Sequence, residues 1–265
     1  MHNLLNKIFN EDCLVGMKRI PNASVDMILC DLPYGTTQCK WDSVIPFDKL
    51  WKQYERIIKD NGAIVLTASQ PFTSVLIASN LKLFKYSWIW EKSKATGYLN
   101  AKKRPLYAHE DIVVFSKKTP NYFPQMGNGV HYNKGKALRL TDVYGGQRET
   151  LVKNDDGTRY PRSVVYFKTA ESEGDVLHPT QKPLALFEYL IKTYTEEGDV
   201  VLDNCIGSGT TALACLNLGR KFIGFEQNEE YAEIAEQRIN LLKYKTQPSL
   251  CFSHGSLNSG VELCL

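Results

Sequence analysis

At 265 residues, with 43% hydrophobic and 23% charged content, the chain has the composition of an ordinary globular protein with one sizeable core, or a core domain carrying an insertion. A formal charge of +3 permits a nucleic-acid partner without arguing for one, so any basic face must come from local clustering. The seven scattered cysteines include no C-x-x-C pair, and neither they nor the five histidines form a zinc pattern. Buried free thiols and no metal are therefore expected. Without a signal-peptide core or an apolar run near ~18 residues, a cytoplasmic location and no membrane partner are expected too.

Residues 7–13 (KIFNEDC) read as a short strand ending in Glu11 and Asp12, followed by a brief helical turn through Arg19. The apolar run from Val25 to Cys30 is a buried strand that ends in Asp31-Leu32-Pro33-Tyr34, with Gly35 behind it. Residues 36–45 have no period and read as a loop. Helical spacing of Phe47, Leu50, Trp51, Tyr54, Ile57 and Ile58 predicts a helix over 46–59, stopped by Asp60-Asn61-Gly62. Strands are predicted over 63–68, 86–90 and 111–115, and a helix over 71–80 with proline in its first turn. Between the last two strands lies a basic stretch with Lys92, Lys94, Lys102, Lys103 and Arg104 around Tyr98 and Asn100.

From 118 to 177 the texture changes to Gly, Asn, Tyr, Thr and basic residues without helical periodicity. A bare loop of that length is uncommon in a compact domain, so an inserted small domain or loop region is expected. Regular texture then resumes: a helix over 183–195, a strand over 199–203, a helix over 209–218, a strand over 221–226 and a helix over 229–243. The tail from 246 has no period and is expected to be poorly ordered. Strands alternating with helices on both sides of the insertion imply one doubly wound, mainly parallel α/β sheet.

Two stretches carry chemistry. Asp31-Leu32-Pro33-Tyr34 suits presenting a hydrogen-bond acceptor, a rigid carbonyl and a flat ring at the carboxyl edge of a sheet, where open α/β sheets bind ligands. The bland alternative is turn chemistry, since Asp, Pro and Gly are common turn residues. The second stretch, Asp203-Asn204-Cys205-Ile206-Gly207-Ser208-Gly209-Thr210-Thr211, joins a strand to a helix. Its two glycines let the backbone approach a ligand, beside the free N–H groups of a helix N-terminus. It is neither G-x-G-x-x-G nor a phosphate-binding P-loop, because Ala212 and the lack of a following lysine break both patterns. Glu226 ends the next strand, where an acid takes the hydroxyls of a ribose.

D-L-P-Y, the D-x-x-x-G-S-G-T-T loop and His178-Pro179-Thr180-Gln181-Lys182-Pro183 together resemble the S-adenosylmethionine-dependent DNA amino-methyltransferases, the N-6/N-4 DNA methylase family. The resemblance spans about residues 7–245 apart from the insertion. The catalytic motif precedes a variable insertion, and the cofactor motif follows, which is similar to the circularly permuted (β) class of that family. The implied fold is a Rossmann-like, permuted, seven-stranded methyltransferase sheet: a catalytic half over 1–117, a target-recognition insertion over 118–177, a cofactor-binding half over 178–245 and a tail over 246–265. Permutation makes residues 7–13 the third strand of the cofactor half, beside the strand ending in Glu226. Asp12 or Glu11 then lies near the adenine amino group of the cofactor, and the resemblance favours Asp12.

The resemblance implies methyl transfer from S-adenosylmethionine to an exocyclic base amine in double-stranded DNA. Such an amine is a poor nucleophile, and it becomes positively charged as it attacks the methyl. Acceptors set up beforehand stabilise that charge. By the resemblance these are the Asp31 carboxylate and the Leu32 carbonyl, with Pro33 biasing Leu32 to an extended conformation and Tyr34 stacking on a flipped base. Asp203, Gly207, Ser208, Gly209, Thr210 and Glu226 bind the cofactor, and His178, Thr180 and Lys182 meet its methionine end. Lys92, Lys94, Lys102, Lys103 and Arg104 contact phosphates, and Asn128, Asn133, Arg139, Gln147, Arg148, Arg159 and Arg162 are candidate readers of DNA. Leu32 departs from the family's usual Pro, and Asn204 and Cys205 from its Pro and Phe. An acid rather than serine at position 31 favours adenine N6 over cytosine N4. Cytosine N4, an RNA substrate and, more remotely, an NAD-dependent oxidoreductase are the alternatives. A restriction–modification setting, a homodimer and a cognate endonuclease are expectations of the same resemblance.

Overall fold

Strand β2 (Val25–Asp31) lies inside an eight-stranded sheet. Every residue from Val25 to Cys30 is buried. Ile28 and Cys30 join one apolar core, and Met27 and Leu29 the other. Burial on both faces is why the segment reads as a continuous apolar run rather than an alternation. Asp26 in its middle is paired: it accepts from Lys59 Nζ at 2.6 Å and from the Val200 amide at 3.0 Å. These features come from a computed structural model that describes residues 1–35, 42–137, 140–141, 145–146, 150–172 and 181–246.

The remaining sheet strands are β1 (Lys7–Asn10), β3 (Ile58–Ala68), β4 (Phe84–Thr96), β5 (Tyr107–Phe115), β6 (Val164–Phe167), β7 (Val200–Asp203) and β8 (Lys221–Glu226). Their spatial order is β1-β8-β7-β2-β3-β5-β4-β6. Only β5 runs against its neighbours; the other pairings are parallel. Helices α1 (Cys13–Gly16), α2 (Phe47–Ile57) and α3 (Phe72–Ser79) cover one face, through Leu50, Trp51, Tyr54, Phe72 and Leu76 among others. Helices α4 (Leu184–Tyr194), α5 (Thr210–Asn217) and α6 (Glu229–Thr246) cover the opposite face through Leu186, Phe187, Ala214 and Ile239. The doubly wound α/β architecture is as expected, and β1 pairs with β8 in the register that sets Asn10 opposite Glu226.

Three features differ from the sequence reading. The sheet has an eighth strand, β6, which lies within 118–177 and pairs in parallel with β4. The insertion therefore re-enters the sheet before it ends. Elsewhere it forms short antiparallel pairs, such as Tyr132–Ala137 with Thr150–Asn154. Second, β3 starts at Ile58, so Asp60-Asn61-Gly62 lies inside a strand instead of stopping a helix. Ile58 pairs with Val25 before a register irregularity, and a Cβ at Gly62 would sit 2.7 Å from the Asp26 carbonyl oxygen. The glycine permits that close approach. Third, β4 and β5 form a hairpin that runs to Thr96 and restarts at Tyr107, longer than the apolar runs suggested. Residues 247–265 lie outside the described residues, as do Arg139, Gln147, Arg148, His178 and Thr180.

Candidate active site

Parallel strands present their carboxyl ends at one edge. Here β2 delivers Asp31, β3 delivers Thr67, β7 delivers Asp203 and β8 delivers Glu226, with Glu11 and Asp12 just past β1. Because β5 is reversed, its early residue Glu110 reaches the same edge, opposite Trp90 of β4. Most of these residues line a continuous cavity of about 530 Å³, together with Leu32, Pro33, Tyr34, Lys92, Lys182 and the loop 203–208.

Asp31 is the most heavily bonded group at one end of it. Oδ1 accepts from the hydroxyls of Tyr34, at 2.8 Å, and Thr67, and Oδ2 meets the Lys182 ammonium at 2.5 Å. The Asp31–Thr67 contact follows from register, because the two are Cα partners across β2 and β3. The Tyr34 ring stacks on Phe72 with centroids 4.9 Å apart. Burial, reinforced by the charges of Asp31 and Glu110, holds the Tyr34 phenol well above its ordinary pKa, so it acts as a neutral donor. Leu32 is buried in the core beneath, which leaves its backbone for the cavity wall.

Lys182, expected among cofactor contacts, lines this cavity with its ammonium on Asp31, 3.6 Å from Glu110 and 5.9 Å from the Tyr34 ring centroid. Burial pulls its pKa down, but Asp31 and Glu110 outweigh that and the net shift is upward, so the amine is a cation and not a base. Lys92 was expected on phosphates; its side chain is only 6% exposed and turns inward to Glu110, 3.3 Å away. Lys102, Lys103 and Arg104 are exposed beyond the β4–β5 hairpin, with Arg104 over the Tyr107 ring, and Lys94 is exposed beside Glu171. Arg159 is committed within the insertion, donating to Asn154, Gly157, Thr158 and Val130.

At the other end of the cavity, Glu226 accepts from the Gly207 amide through Oε2 and the Asn228 amide through Oε1, both at 2.9 Å. Burial raises its pKa despite those donors. Asp12 caps α1, its carboxylate accepting from the Leu14 and Val15 amides at 2.7 and 3.3 Å, while Glu11 pairs with Arg19. Asp203 is buried and holds the glycine loop by accepting from the Cys205 amide and the Thr211 hydroxyl. Burial pushes its pKa up to about 7, against those two donors. Gly207 and Gly209 both have positive φ, which lets the loop turn into α5. Ser208 donates to Gln181 at 3.2 Å, and so joins this loop to the segment carrying Lys182. Asn204 accepts from Tyr54 and lies against the thiols of Cys13 and Cys205, which are free.

The sequence reading did not single out Thr67, Trp90 or Glu110. Thr67 is the one polar side chain in the run 63–68, and register with Asp31 is the signal that identifies it. Nothing local marks Glu110, because its place depends on the reversal of β5.

The chain matches a family model described as DNA methylase across residues 25–237. It is 29% identical over 262 residues to the type II methyltransferase M1.MboII of Moraxella bovis, covering 90% of this chain and 98% of that protein. It is 30% identical over 294 residues to M.BglII of Bacillus subtilis, also a type II methyltransferase, covering 96% and 76%. Among solved structures it resembles the M1.HpyAVI–SAM complex, with TM-score 0.59, 26% identity, and coverage of 88% and 98%. The PvuII DNA methyltransferase, named as cytosine-N4-specific, shares the fold at TM-score 0.63 and 16% identity, over 91% of each chain.

Proposed function

Because this chain belongs to the DNA methylase family, we propose that it transfers a methyl group from S-adenosylmethionine to N6 of adenine at specific sites in DNA. The observation that carries the reading is the single cavity joining Asp31 to Glu226 along one sheet edge. One end offers acceptors for a reacting amine, and the other offers an acid for a nucleoside.

The residues present suit the donor. Glu226 is a carboxylate suited to ribose hydroxyls, Glu11 and Asp12 edge the same wall, and Gly207 keeps a side chain off the loop where it lines the cavity. Gly207, Ser208, Thr210 and Asp203 would hold the rest of the cofactor. When bound, it supplies an electrophilic methyl on a sulfonium.

The chain's own residues do the remaining work. Asp31 and the Leu32 carbonyl accept the two N–H groups of the target amine and stabilise the charge that builds on nitrogen. Thr67 and Tyr34 fix the Asp31 carboxylate through Oδ1, while Oδ2 carries the Lys182 ammonium. Trp90, Tyr34 and Pro33 wall the cavity with apolar surface that excludes water and suits a flipped base. Lys94, Lys102, Lys103 and Arg104 lie on the phosphates.

An acid at position 31 favours adenine. Cytosine N4 is the second reading, because the structurally similar PvuII enzyme is named for that base and the same acceptors serve either amine. The test is nucleoside mass spectrometry of DNA and RNA incubated with the protein and labelled S-adenosylmethionine. N6-methyladenine in DNA alone is the expected product. N4-methylcytosine selects the second reading, and label in RNA only or in neither polymer refutes both.

A further inference from the structure

Two carboxylates and two ammonium groups meet where the reacting amine would enter. Lys182 Nζ lies 2.5 Å from Asp31 Oδ2 and 3.6 Å from Glu110 Oε2, and Lys92 Nζ lies 3.3 Å from Glu110 Oε1. The lysine side chains are 8% and 6% exposed, so these are interior pairs in which a stranded charge is costly. The two acids are unequally served. Asp31 takes donors on both oxygens. Glu110 Oε2 is buried and, among the described residues, accepts no hydrogen bond. A buried carboxylate oxygen without a donor is expensive to maintain unless something comes to it.

We propose that Glu110 is the second seat of the Lys182 ammonium, which leaves Asp31 Oδ2 for Glu110 Oε2 as the target amine arrives. This rests on the methyl-transfer reading above. With Lys182 in place, Oδ2 already holds a cation, and the amine must compete for it. The conflict sharpens as nitrogen gains positive charge, because a like charge on the same oxygen opposes it. Reaching Glu110 takes little movement: closing 3.6 Å to an ordinary charge-assisted contact of about 2.8 Å needs about 0.8 Å. That step alone leaves Oδ2 at most about 3.3 Å away, so a further swing about Glu110 completes the release. The four charges stay together, so no ion is stranded. Lys92 remains on Oε1 and holds Glu110 in position. In this proposal Glu110 acts through Lys182 and is a positioning residue.

Three variants test this: Glu110→Gln, Lys182→Met and the two combined. Glu110→Gln keeps the shape but removes the charge that draws Lys182 away, so the lysine stays on Asp31. Its kcat should fall roughly 10- to 100-fold. KM for DNA and calorimetric affinity for S-adenosylmethionine should stay within about threefold. Adding Lys182→Met to Glu110→Gln removes the trapped cation and should recover kcat by about fivefold or more. Wild-type kcat in Glu110→Gln, or a double variant no faster than Glu110→Gln, overturns the proposal. A lowered melting temperature in Glu110→Gln with no recovery in the double variant assigns Glu110 a structural role and also overturns it. A wild-type protein that methylates no DNA base refutes the parent reading, whereas an active one indifferent to Glu110 refutes this inference alone.

Discussion

In the proposed mechanism Asp31 meets two demands that rarely coexist: a carboxylate beside a buried ammonium, and an acceptor for a substrate. The hydroxyls of Thr67 and Tyr34 reconcile them by fixing Oδ1 without adding charge. Removing the carboxylate should therefore strike the chemical step and spare the distant cofactor end. Asp31→Ala is expected to lower methyl transfer by roughly 10²–10³-fold or more, with calorimetric affinity for S-adenosylmethionine nearly unchanged. Transfer at the wild-type rate in that variant would sink the mechanism. Glu226 is the complementary case. Its truncation to Ala removes an anion bonded to the Gly207 and Asn228 amides, and should weaken cofactor binding roughly 10- to 100-fold. A calorimetric affinity equal to wild type would contradict that role.

At the scale of elements, the β4–β5 hairpin and the start of β3 matter most. The hairpin carries Lys92 and Glu110 in its buried stem and exposes Lys102, Lys103 and Arg104 beyond it. Replacing those three by Ala should leave cofactor affinity intact. The log–log slope of DNA affinity against salt should become shallower by about one for every phosphate these side chains neutralise. An unchanged salt slope, read by filter binding at several salt concentrations, would remove the hairpin from the DNA interface. In β3, Gly62 lets the strand pass Asp26 at close range. Gly62→Ala should destabilise the fold by roughly 1–3 kcal/mol. Thermal unfolding should then begin about 3–10 °C lower, and an unshifted midpoint would show that the backbone there yields freely.

For the whole molecule, the buried Asp203 couples stability to pH. Its folded pKa of about 7 stands above the ordinary value of 3.8, so the native state binds the proton more tightly than the unfolded chain does. The resulting stabilisation is present in full below about pH 4 and is lost as pH rises through about 7. Melting temperature should accordingly fall more between about pH 5 and about pH 8 in the wild type than in Asp203→Asn, which carries no titrating proton. Equal falls in the two proteins would assign the pH dependence elsewhere. The same acid holds the loop between β7 and α5, so stability and the geometry of that loop share one residue.

What the sequence determined by itself was whatever is encoded locally. The apolar runs ending in Asp31, Asp203 and Glu226, the two glycines after Asp203, and the alternation of strand and helix specify a doubly wound sheet with its chemistry at one edge. Tertiary structure alone decided what depends on strand direction and long-range register. The reversal of β5 turned Glu110 to the active edge, and β2–β3 register set Thr67 on Asp31. Packing also set Lys92 against Glu110 and Lys182 against Asp31, pairings that nothing in their sequence neighbourhoods suggested. A lysine in a basic stretch reads the same whether it faces solvent or a carboxylate, because only the fold says which charges lie within about 4 Å of one another and out of water.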